Sequence, residues 1–496
     1  MTTTAPRPTD PPPRPPIWLV VLVLLPWIVR ALGSSTSLID GFYAHAALML
    51  SRGHEPYVDF TQVAFPVAEG LLAGVLWLTG PDLRVVEFVH RGAGLVVALL
   101  VWRVGCRLGG RRAGTAAALL YAWSAWTLRF DLFEREAWAA MGTLAALDAW
   151  LGARRLTGRA AWTVAAGLTL AVSIKITTVM VGGALCGHLL LTGRRREMFA
   201  VGLRLTALIV ALTGVCTLIW GWPFLWQVYV FGFYRNQTHD LWQALTFLME
   251  HADATLVLGL LGLVHVALPR WRQPVGALAL ILLLDVTYAV GISPVIWDHN
   301  VLNLVPTCAL LGGLSLTATW AGREALRLRA LGLLTAIGAF ALPLTYARHF
   351  DWAPGLLGYG FDAGRPRAYV EANVGFLRQH SARDDVVFCV DPWVAFAADR
   401  VKFVRYWDIE PVARGVEDSL RVDGLAATWG RRSVDTLLVG SGDPPHDPRM
   451  EKLISPYEQR LYACAWHWVR PDLLDALERG GSARVLDPLR PRLLLP

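Results

Sequence analysis

Charge is what this chain is short of. Only 17% of its 496 residues are Asp, Glu, Lys or Arg, against roughly 25% in soluble domains. Hydrophobic residues make up 54%, and the mean hydropathy is +0.42. Lysine is scarcer still: of 46 Lys plus Arg, the lysines are Lys175, Lys402 and Lys452. The six cysteines (Cys106, Cys186, Cys216, Cys308, Cys389, Cys464) contain no CxxC and no Cys/His metal spacing, which excludes a disulfide scaffold. The first four lie in apolar segments and read as core. Cys389 and Cys464 fall in strand-like stretches, where pairing requires an oxidising compartment. There is no repeat of fixed period, and the turn-rich segment Gly440 to Arg449 carries no glycine-phosphate fingerprint. The opening MTTTAPRPTDPPPRPP is too proline-rich for a signal peptide's basic start, and no small-residue cleavage site follows the first apolar run. Residues 1–16 therefore read as a disordered, Pro-rich leader on the cytoplasmic side.

What is present in their place is a series of apolar runs that stops near residue 346. A bilayer crossing takes about 20 apolar residues. Runs that qualify lie near 17–33, 83–104, 113–129, 136–152, 160–175, 177–192, 199–221, 253–269, 274–292, 300–320 and 328–346, which predicts about eleven membrane helices. The run 65–80 is short, contains Pro66 and Glu69, and ends at Gly80-Pro81; it is expected to lie in the membrane plane. With that choice the arginine-rich loops around 103–112, 154–159, 194–196, 270–272 and 323–329 share one side with the N-terminus, which makes that side cytoplasmic. The net charge of +7 is explained by those loops, not by nucleic-acid binding. An odd number of crossings leaves 347–496 outside. That tail alternates helix and strand patterns (RAYVEANVGFLRQH, DVVFCV, VKFVRY, a helix around 413–431, DTLLVG) and predicts a small α/β domain.

The acidic residues gather in the outer loops. Carboxylates beside a bilayer are costly to desolvate, so Asp40, at the exit of the first span, and Asp59, after Pro56-Tyr57, are candidates for chemistry. Asp40 is also placed to cap the helical pattern GFYAHAALML, and capping leaves one carboxylate oxygen for other work.

These residues carry a resemblance. Asp40-Gly41-Phe42-Tyr43 before an aliphatic helix, then Gly53, Pro56-Tyr57-Val58-Asp59-Phe60 and Pro66, resembles the first outer loop of GT-C integral-membrane glycosyltransferases, in the branch of protein O-mannosyltransferases and aminoarabinose transferases. Two departures stand out: Gly41 replaces the acid that usually follows the aspartate, and Phe65-Pro66 replaces Pro-Pro. The resemblance implies that Asp40 is the catalytic base and that the donor is a sugar on a polyprenyl phosphate. The chemistry agrees: an acceptor hydroxyl needs a carboxylate to take its proton as it attacks the anomeric carbon, and the departing phosphate needs cations. A single displacement inverts the anomeric configuration.

In the second outer loop, RFDLFEREAW, Asp131 or Glu134 matches the acid that the family places near its site; the alternative is a solvated loop with Glu136 at a helix start. Lys175, in SIKITT, is the lysine an arginine-using chain keeps at a membrane boundary. It resembles a family Thr-Lys element and suits a phosphate, or else anchors by snorkelling. The aromatic third loop reads mainly as an interfacial belt, with Arg235 and His239 as candidates near the phosphate. In IWDHNVLNLVP, His299 resembles a family element beside the donor. A divalent metal on Asp40, Asp59 and His299 is chemically compatible, although no spacing demands one and no cofactor is required.

The expected protein is thus a multi-pass glycosyltransferase of a bacterial cytoplasmic membrane. Its partners would be a polyprenyl-phosphate sugar, a lipid, glycan or protein acceptor, and membrane lipids. The competing readings are a transporter or flippase of lipid-linked glycans, which requires ionisable residues deep in mid-helix, and a non-catalytic assembly subunit built around the tail.

Overall fold

The computed structural model describes residues 14–31, 35–37, 41–60, 62–124, 127, 135–230, 242, 246, 252–289, 301–319, 364–366, 374–375, 377–378, 386–389, 392–402, 436–439, 458–462 and 465–469. Helix α1 spans Ile17–Ala31, strand β1 Ser35–Ser37, α2 Gly41–Ser51 and α3 Val67–Thr79. Next come α4, Leu83–Ala122; α5, Arg135–Gly152; and α6, Gly158–Ile174. A 3-10 turn over Ile176–Thr178 leads into α7, Val179–Leu191, and then α8, Arg195–Leu225. The membrane part closes with α9, Ala254–Gly262, α10, Val275–Thr287, and α11, Leu304–Thr319. Apart from β1 and from α2, which carries the helical pattern GFYAHAALML, these elements follow the apolar runs of the sequence; the run 328–346 lies outside the described residues.

Among the described residues, two helical stretches are long and apolar enough to cross a membrane by length and composition, Leu83–Ala122 and Arg195–Val230. The outer surface agrees with lipid contact, since Leu218, Phe88, Leu203 and Trp222 are at least 65% exposed. A soluble protein would not leave so much apolar surface open. By contrast α3, at 13 residues, measures about 20 Å at 1.5 Å per residue. It is too short for a hydrocarbon core of about 30 Å, and it packs against α2.

Helix α4 is two helices. The sequence predicts two spans joined by an arginine-rich loop, and the structure gives two helices meeting at Gly110 (φ 82°, ψ 178°), the helical pattern resuming at Arg111 and Arg112 without an extended loop. There the chain doubles back. A Cβ on Gly114 would meet the Trp102 carbonyl oxygen at 2.4 Å and the Cys106 sulfur at 2.5 Å; in a straight helix Trp102 would be about 18 Å away. Small residues likewise let other helices approach closely. A Cβ on Gly142 of α5 would lie 2.6 Å from the Gly167 carbonyl of α6, and one on Gly262 would lie 2.2 Å from the Leu311 carbonyl of α11. The main core runs through α1 and α4 to α11, around Trp102, Leu144, Leu185 and Leu310.

The C-terminal part contributes β2, Gly364–Pro366; β3, Val386–Cys389; α12, Pro392–Ala398; β4, Val401–Lys402; β5, Thr436–Val439; β6, Glu458–Tyr462; and β7, Ala465–Val469. The last five strands form one sheet in the order β4-β3-β5-β7-β6, with β3 parallel to β4 and β5, and the β6–β7 hairpin added antiparallel to β5. Strands β3, β4 and β5 fall where the sequence puts them; the hairpin was not anticipated. Cys464 and the helix expected around 413–431 lie outside the described residues.

The α4 reversal makes a direct stability prediction. Gly114→Val puts branched carbons against backbone, an overpacking that costs about 1–3 kcal/mol. Thermal unfolding in detergent should show a lower midpoint, whereas Gly183→Val, at a position with open space, should leave it nearly unchanged.

Candidate active site

Two charges adjacent in sequence organise one end of the helix bundle. Arg135 and Glu136 open α5, and one helical step turns their side chains about 100° apart. Arg135 turns toward the first loop. Its Nε donates to Glu69 Oε1 at 2.5 Å, and both side chains are nearly water-free, 4% and 0% exposed. Glu69 sits in the first turn of α3, where the helix dipole favours an acid. The guanidinium carbon also lies 4.2 Å above the Tyr43 ring of α2, a cation–π contact strengthened by desolvation. One buried ion pair therefore joins α2, α3 and α5.

Glu136 turns the other way and meets Lys175, in an ion pair with 2% and 14% exposure. Lys175 ends α6 in an extended conformation, φ −143° and ψ 110°, with its N–H on the Ala171 carbonyl at 2.9 Å. Its own carbonyl accepts from the Thr178 N–H at 3.0 Å and the Thr178 hydroxyl at 2.7 Å. The ammonium thereby projects from a helix C-terminus, the end that favours cations. Glu136 lines two adjoining narrow clefts. One is walled by Thr143, Thr177, Thr178, Asp285, Asn303 and Thr307 over an aliphatic floor of Leu144, Leu147 and Ile281. The other is bordered by Trp27, His90, Arg91 and Tyr121. The acids and cations thus alternate, Glu69, Arg135, Glu136, Lys175, and Asp285 lines the same cleft as Glu136.

The opposite end of the bundle has its own pairs. Asp148 lies about 18 Å farther along α5 than Glu136, and there accepts from Arg103 at 2.7 Å and Arg107 at 2.6 Å. Beyond it Arg194 pairs with Glu197 at 2.6 Å. The arginine-rich loops and the acidic clefts occupy different ends of α5.

The Pro-Tyr-X-Asp segment is a staple. Tyr57 is fully buried at φ 67°, its hydroxyl donates to the Ala64 carbonyl at 2.7 Å, and its ring stands edge-on to Phe224 at 5.2 Å. Burial pushes its phenol pKa up, with Glu69 adding to the effect. Gln227 donates to the Tyr57 carbonyl at 2.7 Å and accepts from the Gln62 N–H at 2.9 Å. Together they bind the first loop to the π-helical turn Trp226–Val230 that follows α8. Asp59 closes a local turn: its Oδ2 accepts from the Glu55 N–H at 2.8 Å and lies 3.6 Å from His54 Nδ1.

Of the residues singled out in the sequence, Lys175 and Asp59 are described, and only Lys175 lies beside the clefts. Asp40, Asp131, Glu134, Arg235, His239 and His299 lie outside the described residues; Asp40 directly precedes α2. Among the described residues no group of three or more His, Cys, Asp or Glu is arranged to hold a metal. Sequence reading missed Glu69, Arg135 and Asp285 as parts of this arrangement. The available signal was a glutamate inside an apolar run and an acid late in a predicted span.

No protein-family model and no curated protein sequence matches the chain. Solved structures do. The fold is that of the GT-C integral-membrane glycosyltransferases. It is similar to ArnT, an aminoarabinose transferase from Cupriavidus metallidurans solved bound to undecaprenyl phosphate, with a TM-score of 0.61 and 12% identity over 91% of this chain and 97% of that one. The apo form of ArnT gives 0.59 at 13% identity over the same shares. The Archaeoglobus fulgidus oligosaccharyltransferase, tethered to an acceptor peptide, gives 0.56 at 12% identity over 90% of this chain and 72% of that one.

The buried pair yields a test. Arg135→Met strands the Glu69 carboxylate, and removing one partner of a buried pair costs about 3–5 kcal/mol. A large drop in thermal midpoint is expected, with most of it recovered in Arg135→Met/Glu69→Leu. A drop in the double variant equal to that of the single one would contradict the pairing.

Proposed function

We propose that this chain is an inverting glycosyltransferase that moves a sugar from a polyprenyl-phosphate-linked donor to an acceptor hydroxyl. Asp40 is the general base, and the reaction takes place at the outer face of a bacterial cytoplasmic membrane. The chain crosses that membrane eleven times, with residues 1–16 and the arginine-rich loops inside. Residues 347–496 form an extracytoplasmic α/β domain that shares its side with the first loop.

The observation that carries this reading is Lys175, a rare lysine paired with Glu136, which lines a narrow cleft together with Thr177, Thr178 and Asp285, in a fold whose solved examples include one bound to undecaprenyl phosphate and one in complex with dolichol-phosphate. A compact ammonium is a good partner for a phosphate that gains charge as the glycosidic bond breaks. Before the donor binds, Glu136 keeps the ammonium compensated. When a phosphodiester arrives, its oxygens take over as the partner of Lys175. The acceptor hydroxyl then attacks the anomeric carbon from the opposite face, its proton passes to the Asp40 carboxylate, and the polyprenyl phosphate leaves with the bonding electrons. Asp131 and Glu134 in the second loop, Asp59, and Arg235 and His299 are proposed to line the substrates.

Purified Asp40→Asn should lose transfer from a polyprenyl-phosphate sugar by about 10²- to 10⁴-fold, the range for removal of a general base, while remaining folded; wild-type turnover would refute the assignment. Lys175→Met should weaken donor binding or turnover, and unaltered kinetics would count against the leaving-group role.

A further inference from the structure

The C-terminal segment grips the first loop on both sides of Asp40. Upstream, β1 pairs antiparallel with β2, in the register Ser35 to Pro366, Thr36 to Arg365 and Ser37 to Gly364. Downstream, α2 packs on α12, with Phe396 fully buried in the cluster that contains Ala44, Ala47 and Leu48. Polar contacts lock this second grip. Arg52 Nη2 donates to the Asp399 carbonyl at 2.8 Å and also pairs with the Asp399 carboxylate. His45 Nε2 lies 3.2 Å from the Arg400 carbonyl.

The gripping turn is itself built for rigidity. Asp399 is held at φ 60°, a conformation that a non-glycine residue keeps only when its surroundings impose it. Three arginines serve the carbonyls at the end of α12: Arg378 donates to Ala397 at 2.6 Å, Arg400 to Ala398 at 2.9 Å, and Arg52 to Asp399 at 2.8 Å. Buried Arg400 also reaches back to the Arg378 carbonyl at 3.3 Å. Cations on helix-terminal carbonyls are favourable both as hydrogen bonds and against the dipole.

Only Leu38, Ile39 and Asp40 lie between the two gripped elements. A stretch that short reaches at most about 3.6 Å per residue, so fixing both ends confines what lies between. We infer that Arg52 and Asp399 are positioning residues: the clamp between α2 and the C-terminal segment sets where the Asp40 carboxylate stands relative to the donor. The inference rests on Asp40 being the base. It gives the C-terminal segment a part in the transfer step itself, distinct from capturing an acceptor or covering the site. A displacement of about 1 Å at a catalytic group costs on the order of 10²-fold, whereas Lys175, on α6, keeps its grip on the phosphate.

The test uses the full chain in detergent with a polyprenyl-phosphate sugar. It measures kcat, donor KM and the stoichiometry of polyprenyl-phosphate binding for Arg52→Met, Arg52→Lys and Asp399→Asn. The expected result for Arg52→Met is a kcat about 10- to 100-fold lower, with donor KM and binding stoichiometry unchanged and partial recovery in Arg52→Lys. Unchanged kcat, or a loss matched by an equal loss of binding stoichiometry, would overturn the clamp, the second because the contact then holds the fold together without placing the base. If Arg52→Met does not fold, Asp399→Asn gives the same reading, since it keeps the carbonyl that Arg52 holds. The base assignment is judged separately, by Asp40→Asn alone: full turnover there defeats the base, whereas loss there with no effect at Arg52 and Asp399 defeats only the clamp.

Discussion

A carboxylate at a membrane boundary cannot be left without a partner, and that constraint organises the functional end of this molecule. Glu69 and Glu136 are buried where water does not reach them, so each needs a cation of matching position. Adjacent residues of α5 deliver the solution: Arg135 serves Glu69, and Glu136 is served by Lys175. This alternation ties the short helices of the first loop to the bundle. It also leaves a lysine, a threonine-rich wall and Asp285 around a cleft. Breaking the pattern at one member would strand the next charge.

The same constraint bears on the competing readings. A transporter requires ionisable groups in mid-bilayer that change partners during the cycle. Among the described residues, the charges inside the bundle are drawn to its ends: Arg91 pairs with Glu87 at 3.3 Å, Asp148 with Arg103 and Arg107, and Asp285 opens onto the cleft that Glu136 lines. An assembly subunit built for its tail would have no need to seat that tail on α2, on the residues next to Asp40.

Much of the fold was legible because lipid imposes a simple code. Apolar runs become helices since the backbone has no other way to satisfy its polar groups, and the described helices follow the runs read from the sequence to within a few residues. The reversal itself was legible as an arginine-rich stretch between two apolar runs; its sharpness was not, because those arginines continue the helix up to and after a single glycine, Gly110. The site was legible only where chemistry conflicts with composition. Lys175 stood out as a rare lysine at a boundary, while Arg135 and Glu69 were hidden: their partnership joins two helix starts 66 residues apart and depends on packing that no local spacing encodes. Tyr57 was read as part of a segment ending in a functional acid, whereas its buried ring and hydroxyl hold that segment in place. The low identity to structures of the same fold, 12–13%, has the same origin. Lipid-facing positions accept many apolar residues, so the fold outlasts the sequence.

The central claim is that Lys175 passes from Glu136 to the phosphate of a lipid-linked donor. Its most direct test is an experimental structure of the protein with bound polyprenyl phosphate. The account predicts phosphate density within hydrogen-bond reach of Lys175 Nζ, at the mouth of the cleft walled by Thr177, Thr178 and Asp285. Phosphate bound elsewhere, with the Lys175–Glu136 pair intact and the cleft closed, would contradict it.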